Sequence, residues 1–253
     1  MATVSEIAFS LTGICTAVPP AESGVCRICH GCPSPGFNTC WSCDHVRSQV
    51  SRPCDLVIPV SLYDIPSQLH HVLRHYKTDQ YSHLHDEFGA KVVSLLSQFL
   101  TMHGECIAQA AGGEWDVITT VPSSAERSGQ HPLVTAINRV QGLSDQYVPL
   151  LKRGDATIAH LSASDDGYEL LTPLDGERIL LIDDTFTSGS RVQSAASRLS
   201  LGGGDVLAIV PIGRVITPSF NETVAEYWKK QRTTTFKFDT CCLEADQGED
   251  EPW

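Results

Sequence analysis

Apolar positions along this chain alternate between helical spacing and short continuous runs. Leu69, Val72, Leu73 and Tyr76 predict a helix over 64–78, with Pro66 near its start and Lys77 at its end. A second helix, 83–111, carries Leu84, Phe88, Val92, Leu95, Leu96, Phe99 and Leu100 on one face. The run 115–122 reads as a buried strand ended by Pro122, and 131–141 as a helix through Leu133, Ile137 and Val140. A strand is expected at 146–151. The polar stretch 152–170, with Asp165-Asp166-Gly167 inside it, reads as a long mobile loop of the kind that forms lids. Residues 205–215 form an apolar run interrupted only by Gly213 and Arg214, as in a buried parallel strand. A final helix is expected at 221–231 and an edge strand at 234–238. This alternation predicts an α/β fold with a parallel sheet flanked by helices.

One segment carries chemistry as well as pattern. Ile179 to Ile182 is a four-residue apolar strand, followed by Asp183-Asp184 and then by Thr185-Phe186-Thr187-Ser188-Gly189-Ser190; a helix opens at Arg191. A small hydroxyl-rich turn leading into a helix N-terminus is an anion cradle, because main-chain N–H groups and the helix dipole converge there. Carboxylates beside it repel phosphate, so they suit sugar hydroxyls or a divalent metal bridging to a pyrophosphate. Together these features describe a phosphorylated sugar. The loop after Val121-Pro122, with Ser123, Ser124, Arg127 and Gly129, is a second candidate anion site. Both loops leave the carboxyl ends of strands, where such sheets bind ligands.

Cys26-x-x-Cys29 and Cys40-x-x-Cys43 are paired knuckles around a loop rich in Gly, Pro and Ser. Four thiolates at that spacing fit a closed, structural Zn²⁺ site; an iron–sulfur cluster or a disulfide pair are the alternatives. His30 and Cys32 lie close by and are taken as loop residues. Cys15, Cys54 and Cys106 read as isolated buried thiols. Cys241-Cys242 has no obvious role unless one of them completes a second site with Cys15. His70, His71, His75, His83 and His85 read as surface histidines.

The net charge of −12 opposes nonspecific binding of nucleic acid, and only Arg27, Arg47 and Arg52 lie in or near the knuckles. No apolar run reaches transmembrane length, and Ile7 to Val18 lacks a positive n-region, so a cytoplasmic protein with reduced cysteines is expected. The expected organisation is a zinc-ribbon region (1–58), a main domain (59–240) holding the parallel sheet and both candidate anion loops, and an acidic, disordered tail (241–253).

The run from Asp183 to Arg191 resembles the signature of the type I phosphoribosyltransferases: an apolar strand, two acids, two variable positions, then Thr-Thr-Gly-x-Thr. Arg191 stands at the last Thr, where a guanidinium can contact phosphate. More widely, the order of knuckles, the His71 to Lys77 helix end, Thr120-Val121-Pro122, an Arg-Ser-Gly loop and the double-Asp turn is similar to the ComF family, over about Cys26 to Val215. That resemblance implies a type I phosphoribosyltransferase-like sheet with an N-terminal zinc ribbon. It implies binding of phosphoribosyl pyrophosphate or a nucleoside monophosphate, with transfer of ribose-5-phosphate, release of pyrophosphate, and Mg²⁺ accompanying the substrate. Asp183, Asp184, Lys77 and Arg127 would act at the reacting centre. Thr185, Thr187, Ser188, Gly189, Ser190, Arg191, Ser123 and Ser124 would bind substrate. Thr187 stands where 6-oxopurine enzymes carry an Asp, which argues against hypoxanthine or guanine salvage. The alternative is a non-catalytic nucleotide-sensing or DNA-uptake accessory module. A homodimer, or a protein partner recruited through the ribbon, is compatible with either.

Overall fold

The computed structural model describes residues 2–77, 82–123 and 131–243. The strands are β1 (Ser61–Tyr63), β2 (Val117–Thr120), β3 (Leu151–Arg153), β4 (Tyr168–Leu170), β5 (Arg178–Phe186) and β6 (Asp205–Val215). The α-helices are α1 (Val4–Ser10), α2 (Trp41–Arg47), α3 (Gln68–His75), α4 (Ser82–Ala110), α5 (Pro132–Ile137), α6 (Gln141–Ser144), α7 (Ser190–Leu201) and α8 (Glu222–Gln231).

β1, β6, β5 and β2 pair in that order, all parallel. The edges extend beyond the named strands. Ile58 and Val60 donate their N–H groups to Ile209 and Pro211 of β6, and Tyr147 pairs with Ile118 of β2. β5 alternates strictly between the two faces, as a strand must. Leu180 and Ile182 enter the core shared with Val92, Leu95, Leu96 and Phe99 of α4. Ile179 and Leu181 enter the core shared with Val192, Ala195 and Leu199 of α7. All four are fully buried, each contributing about 1.5–3 kcal/mol of apolar transfer. The α/β architecture, a parallel sheet between helical layers, therefore stands as expected.

Several elements differ from the pattern reading. The helix expected at 64–78 is only Gln68–His75, because Ser67 caps it: its Oγ accepts the N–H of His70 at 3.2 Å. Asp64 instead accepts the indole N–H of Trp228 on α8, at 2.9 Å. The helix expected at 131–141 is α5, ended at Asn138, with α6 beyond it. The strand expected at 146–151 reduces to the Tyr147 rung and the first residue of β3.

The stretch 152–170 is not an irregular loop. β3 and β4 form an antiparallel pair with Leu151 opposite Leu170, and an exposed Lys152–Glu169 ion pair at 2.7 Å flanks the buried Tyr168. Three-residue strands are too short for period-2 alternation to register. The connection between them is tied down: Asp165 accepts from Ser51 Oγ and from Ser197 Oγ, both at 2.6 Å. We call this arm the hood.

No strand forms at 234–238. Phe236 and Phe238 instead plug into the α4 core, so their alternation reflects two insertions rather than a ladder. At the N-terminus, Thr3 and Glu6 form a capping box for α1, which packs on α4. No helix among the described residues is long and apolar enough to cross a membrane. The acidic stretch 244–253 lies outside the described residues.

Candidate functional site

From β5 the chain runs through α7 to β6; from β2 it runs through α5 and α6 to the Tyr147 rung on the opposite edge. The connections thus diverge between β5 and β2, and the loops at their carboxyl ends face a crevice there. Asp183 and Asp184 lie at that point, inside β5 rather than beyond its end.

Strand alternation separates the two carboxylates. Asp184 follows Leu180 and Ile182 onto the α3–α4 side. There its Oδ2 meets Lys77 Nζ at 2.6 Å and accepts a short hydrogen bond from the Tyr76 hydroxyl. Burial opposes ionisation of Asp184, but Lys77 and Tyr76 outweigh it and hold the carboxyl below its usual range. His131, at the N-cap of α5, adds to that pull. Asp183 follows Ile179 and Leu181 onto the α7 side. Its Oδ1 accepts the Asp184 N–H at 2.9 Å. Burial, reinforced by the Asp184 charge, pushes Asp183 up to about 7, with Arg191 and Lys77 pulling the other way. Asp183 Oδ2 and Asp184 Oδ1 are buried without a hydrogen-bond partner. Two unpartnered carboxylate oxygens, one on each side of a strand end, are hard donors suited to a divalent cation or to sugar hydroxyls.

Next to Asp183 the chain turns into α7, one residue earlier than the pattern suggests. Gly189 is the N-cap at φ +88°, and a Cβ there would lie 2.7 Å from Phe186 Cζ. Both the left-handed backbone and the close approach require glycine. Ser188 Oγ lies 3.0 Å from Ser190 Oγ, and Leu161 of the hood donates its N–H to Ser188 at 3.3 Å. Thr187 is exposed, while Thr185 is half-buried with its Oγ1 3.4 Å from the Tyr63 hydroxyl. A pocket of about 360 Å³ opens between hood and turn. Ile158 and His160 line it on one side; Asp183, Thr187, Gly189 and Arg191 line it on the other.

The structure therefore brings Asp183, Thr185, Thr187, Ser188, Gly189, Ser190 and Arg191 into one pocket, and Lys77 to Asp184 just behind it. Ser123 begins the loop beyond β2; Ser124 and Arg127 lie outside the described residues. Larger cavities exist elsewhere, such as an 870 Å³ groove beside Phe37 and Tyr227, but this pocket holds the acid with an unpartnered oxygen, Asp183, and the helix start.

Cys26, Cys29, Cys40 and Cys43 are buried with all four Sγ atoms within 4.8 Å of one another, and Cys29 Sγ lies 3.7 Å from Cys40 Sγ. Tetrahedral zinc with bonds of about 2.3 Å separates its sulfurs by roughly 3.8 Å, so the donor set and spacing fit a closed zinc site. Cys26 N–H reaches back to no metal ligand but closes the first knuckle on Gly31 O at 2.8 Å, and Cys40 N–H donates to Cys26 Sγ at 3.2 Å. His30 stands apart from the set, buried at φ +55° with Nδ1 2.9 Å from Pro19 O. Among the described residues no third ligand joins His71 and His75, whose ring centres lie 4.2 Å apart at a tilt of 44°.

Arg214, near the end of β6, connects the two centres. Its Nη1 donates to Thr187 O at 2.8 Å and its guanidinium lies 5.2 Å from the Phe186 ring centre. On its other side it faces the cysteines. Burial works against its charge, and Cys29, with Cys40 and Cys43 behind it, outweighs that and raises it above its usual range. A zinc ion held by these four thiolates would carry net negative charge and would give this buried cation its counter-charge. Pattern reading passed over Arg214, Tyr76 and His131. The signal for Arg214 was a lone charge inside an apolar run; Tyr76 was counted only as a helix-face residue. The chain matches no protein-family model, and no curated protein is significantly similar to it.

Proposed function

We propose that this protein is a type I phosphoribosyltransferase-like protein, similar to the ComF family, that binds phosphoribosyl pyrophosphate or a nucleoside monophosphate beneath the hood. It transfers the ribose-5-phosphate unit to an acceptor and releases pyrophosphate. The observation that carries this reading is the pocket joining a helix N-terminus, Arg191 and a buried, unpartnered Asp183 oxygen.

In this reading the amides and hydroxyls from Thr187 to Ser190, with Arg191, hold the 5′-phosphate. Asp183 and Asp184 accept hydrogen bonds from the ribose hydroxyls, and their unpartnered oxygens would hold Mg²⁺ directly or through water. Bound there, Mg²⁺ supplies positive charge beside the pyrophosphate. An acceptor lone pair forms the new bond to the anomeric carbon while the carbon–oxygen bond breaks, its electrons leaving with pyrophosphate. Lys77, with Arg127 and the hydroxyls of Ser123 and Ser124, steadies the departing charge. The hood excludes water from the sugar cation.

Calorimetry with phosphoribosyl pyrophosphate, with and without Mg²⁺, tests the reading. Asp183→Asn combined with Asp184→Asn is expected to abolish Mg²⁺-dependent binding in a folded protein; unchanged affinity rejects it. The loop after Pro122 carries Arg127 as its one arginine, which favours a second reading, a sensor that grips its ligand without turnover. Release of pyrophosphate on adding candidate acceptors separates the two.

A further inference from the structure

We propose that His103, Cys106 and Cys241 form a second transition-metal site, for Zn²⁺, that clasps the C-terminal segment onto α4. Cys106 is not the isolated thiol its sequence context suggests, and Cys241 meets it rather than Cys15. His103 and Cys106 stand three residues apart on one face of α4, and Cys241 arrives from the far end of the chain. Cys106 Sγ lies 3.6 Å from His103 Nδ1 and 3.6 Å from Cys241 Sγ, and the three donor atoms all fall within 4.8 Å of one another. Zinc bonds of about 2.3 Å to sulfur and about 2.0 Å to nitrogen give tetrahedral edges of roughly 3.5–3.8 Å. The Cys29–Cys40 edge of the first cluster, 3.7 Å, has the same length.

The outer shell is also in place. His103 Nε2 lies 2.8 Å from Phe238 O, so the ring donates its Nε2–H to that carbonyl and turns the lone pair of Nδ1 toward the sulfurs. As thiols, Cys106 donates its S–H to His103 O at 3.1 Å. Metal binding releases one proton from each of Cys106 and Cys241 and none from neutral His103. A disulfide would need the sulfurs to close from 3.6 Å to about 2.05 Å, and would leave the imidazole without a role. Three protein ligands leave the fourth position to water or a small ligand. Cys241 also lines a cleft of about 690 Å³ with Lys230 and Lys237.

Metal content of the reduced, full-length chain tests this. Cys106→Ser, Cys241→Ser and His103→Gln are each expected to carry one zinc equivalent fewer than wild type. With Co²⁺ in place of zinc, the thiolate-to-metal absorption is expected to fall in the two serine variants while the contribution of the four-cysteine cluster persists. Should the serine variants not fold, His103→Gln keeps both thiols and must still lose the equivalent. Equal metal content in wild type and variants overturns the proposal. So does a Cys106–Cys241 disulfide in protein isolated anaerobically.

Discussion

Asp183 is a buried acid that ionises only near neutrality, and both its stability cost and its ligand chemistry follow from that. Its folded pKa, about 7, lies above the unfolded value of 3.8, so the folded state holds the extra proton between them. Stability therefore falls as pH rises from about 4 to 7, and the full penalty is present above 7. Asp183→Asn is expected to raise Tm at pH 8 by ~2–4 °C, about 1 kcal/mol for a chain of this size, while leaving Tm at pH 4 nearly unchanged. If the carboxylate is the ligand-binding form, affinity for a Mg²⁺–phosphoribosyl ligand rises more steeply from pH 6 to pH 8 in the wild type than in the Asn variant, where only the ligand phosphates titrate; titration calorimetry across that range checks both. Gly189 offers a second test at this scale. An alanine there is forced into a left-handed backbone and against Phe186, costing about 1–3 kcal/mol, and the N–H groups of the turn are displaced. Denaturant melts should show that loss together with loss of phosphate-ester binding.

The ends of the elements decide which side each functional group faces. α3 stops at Ser67 and His75, and that stop delivers Tyr76 and Lys77 to Asp184. Lys77→Met takes the cation from a carboxylate whose side chain is only 2% exposed, leaving the Tyr76 hydroxyl on it, and is expected to cost ~2–3 kcal/mol, below the value for a fully buried pair because Lys77 itself is 27% exposed. Adding Asp184→Asn to Lys77→Met should restore most of that loss, which a double-mutant cycle of urea midpoints would measure. Long, strongly periodic elements were legible in the sequence: α4, β6 and α8 fall within a residue or so of their expected limits. So were the double acid and the turn behind it, because residue types there are restricted. What escaped reading depends on contacts distant in sequence. The hood strands are three residues each and take their form from Ser51, Ser188, Ser194 and Ser197. The Phe236–Phe238 pair resembled a strand because a plug into a core and a ladder both alternate.

At the scale of the molecule, the knuckles and the pocket share one apolar cluster: Cys26, Cys29, Cys40 and Cys43 are buried together with Ile179, Leu181 and Phe186. The CxxC spacing pointed to a metal site, but nothing in it announced that Arg214, 171 positions beyond Cys43, would be its neighbour. Arg214→Met is expected to leave zinc content intact while weakening ligand binding about tenfold, near 1.4 kcal/mol, since Thr187 O and Phe186 lose their anchor. Stripping the metal with a chelator should produce the same loss in the unaltered chain, read by calorimetry against a refilled control. Equal affinity in stripped and refilled protein would show the two centres to be independent. With Arg214 as the shared strut, an oxidant that attacks the four thiols would loosen the Thr187 turn from behind, without touching a single group that lines its pocket.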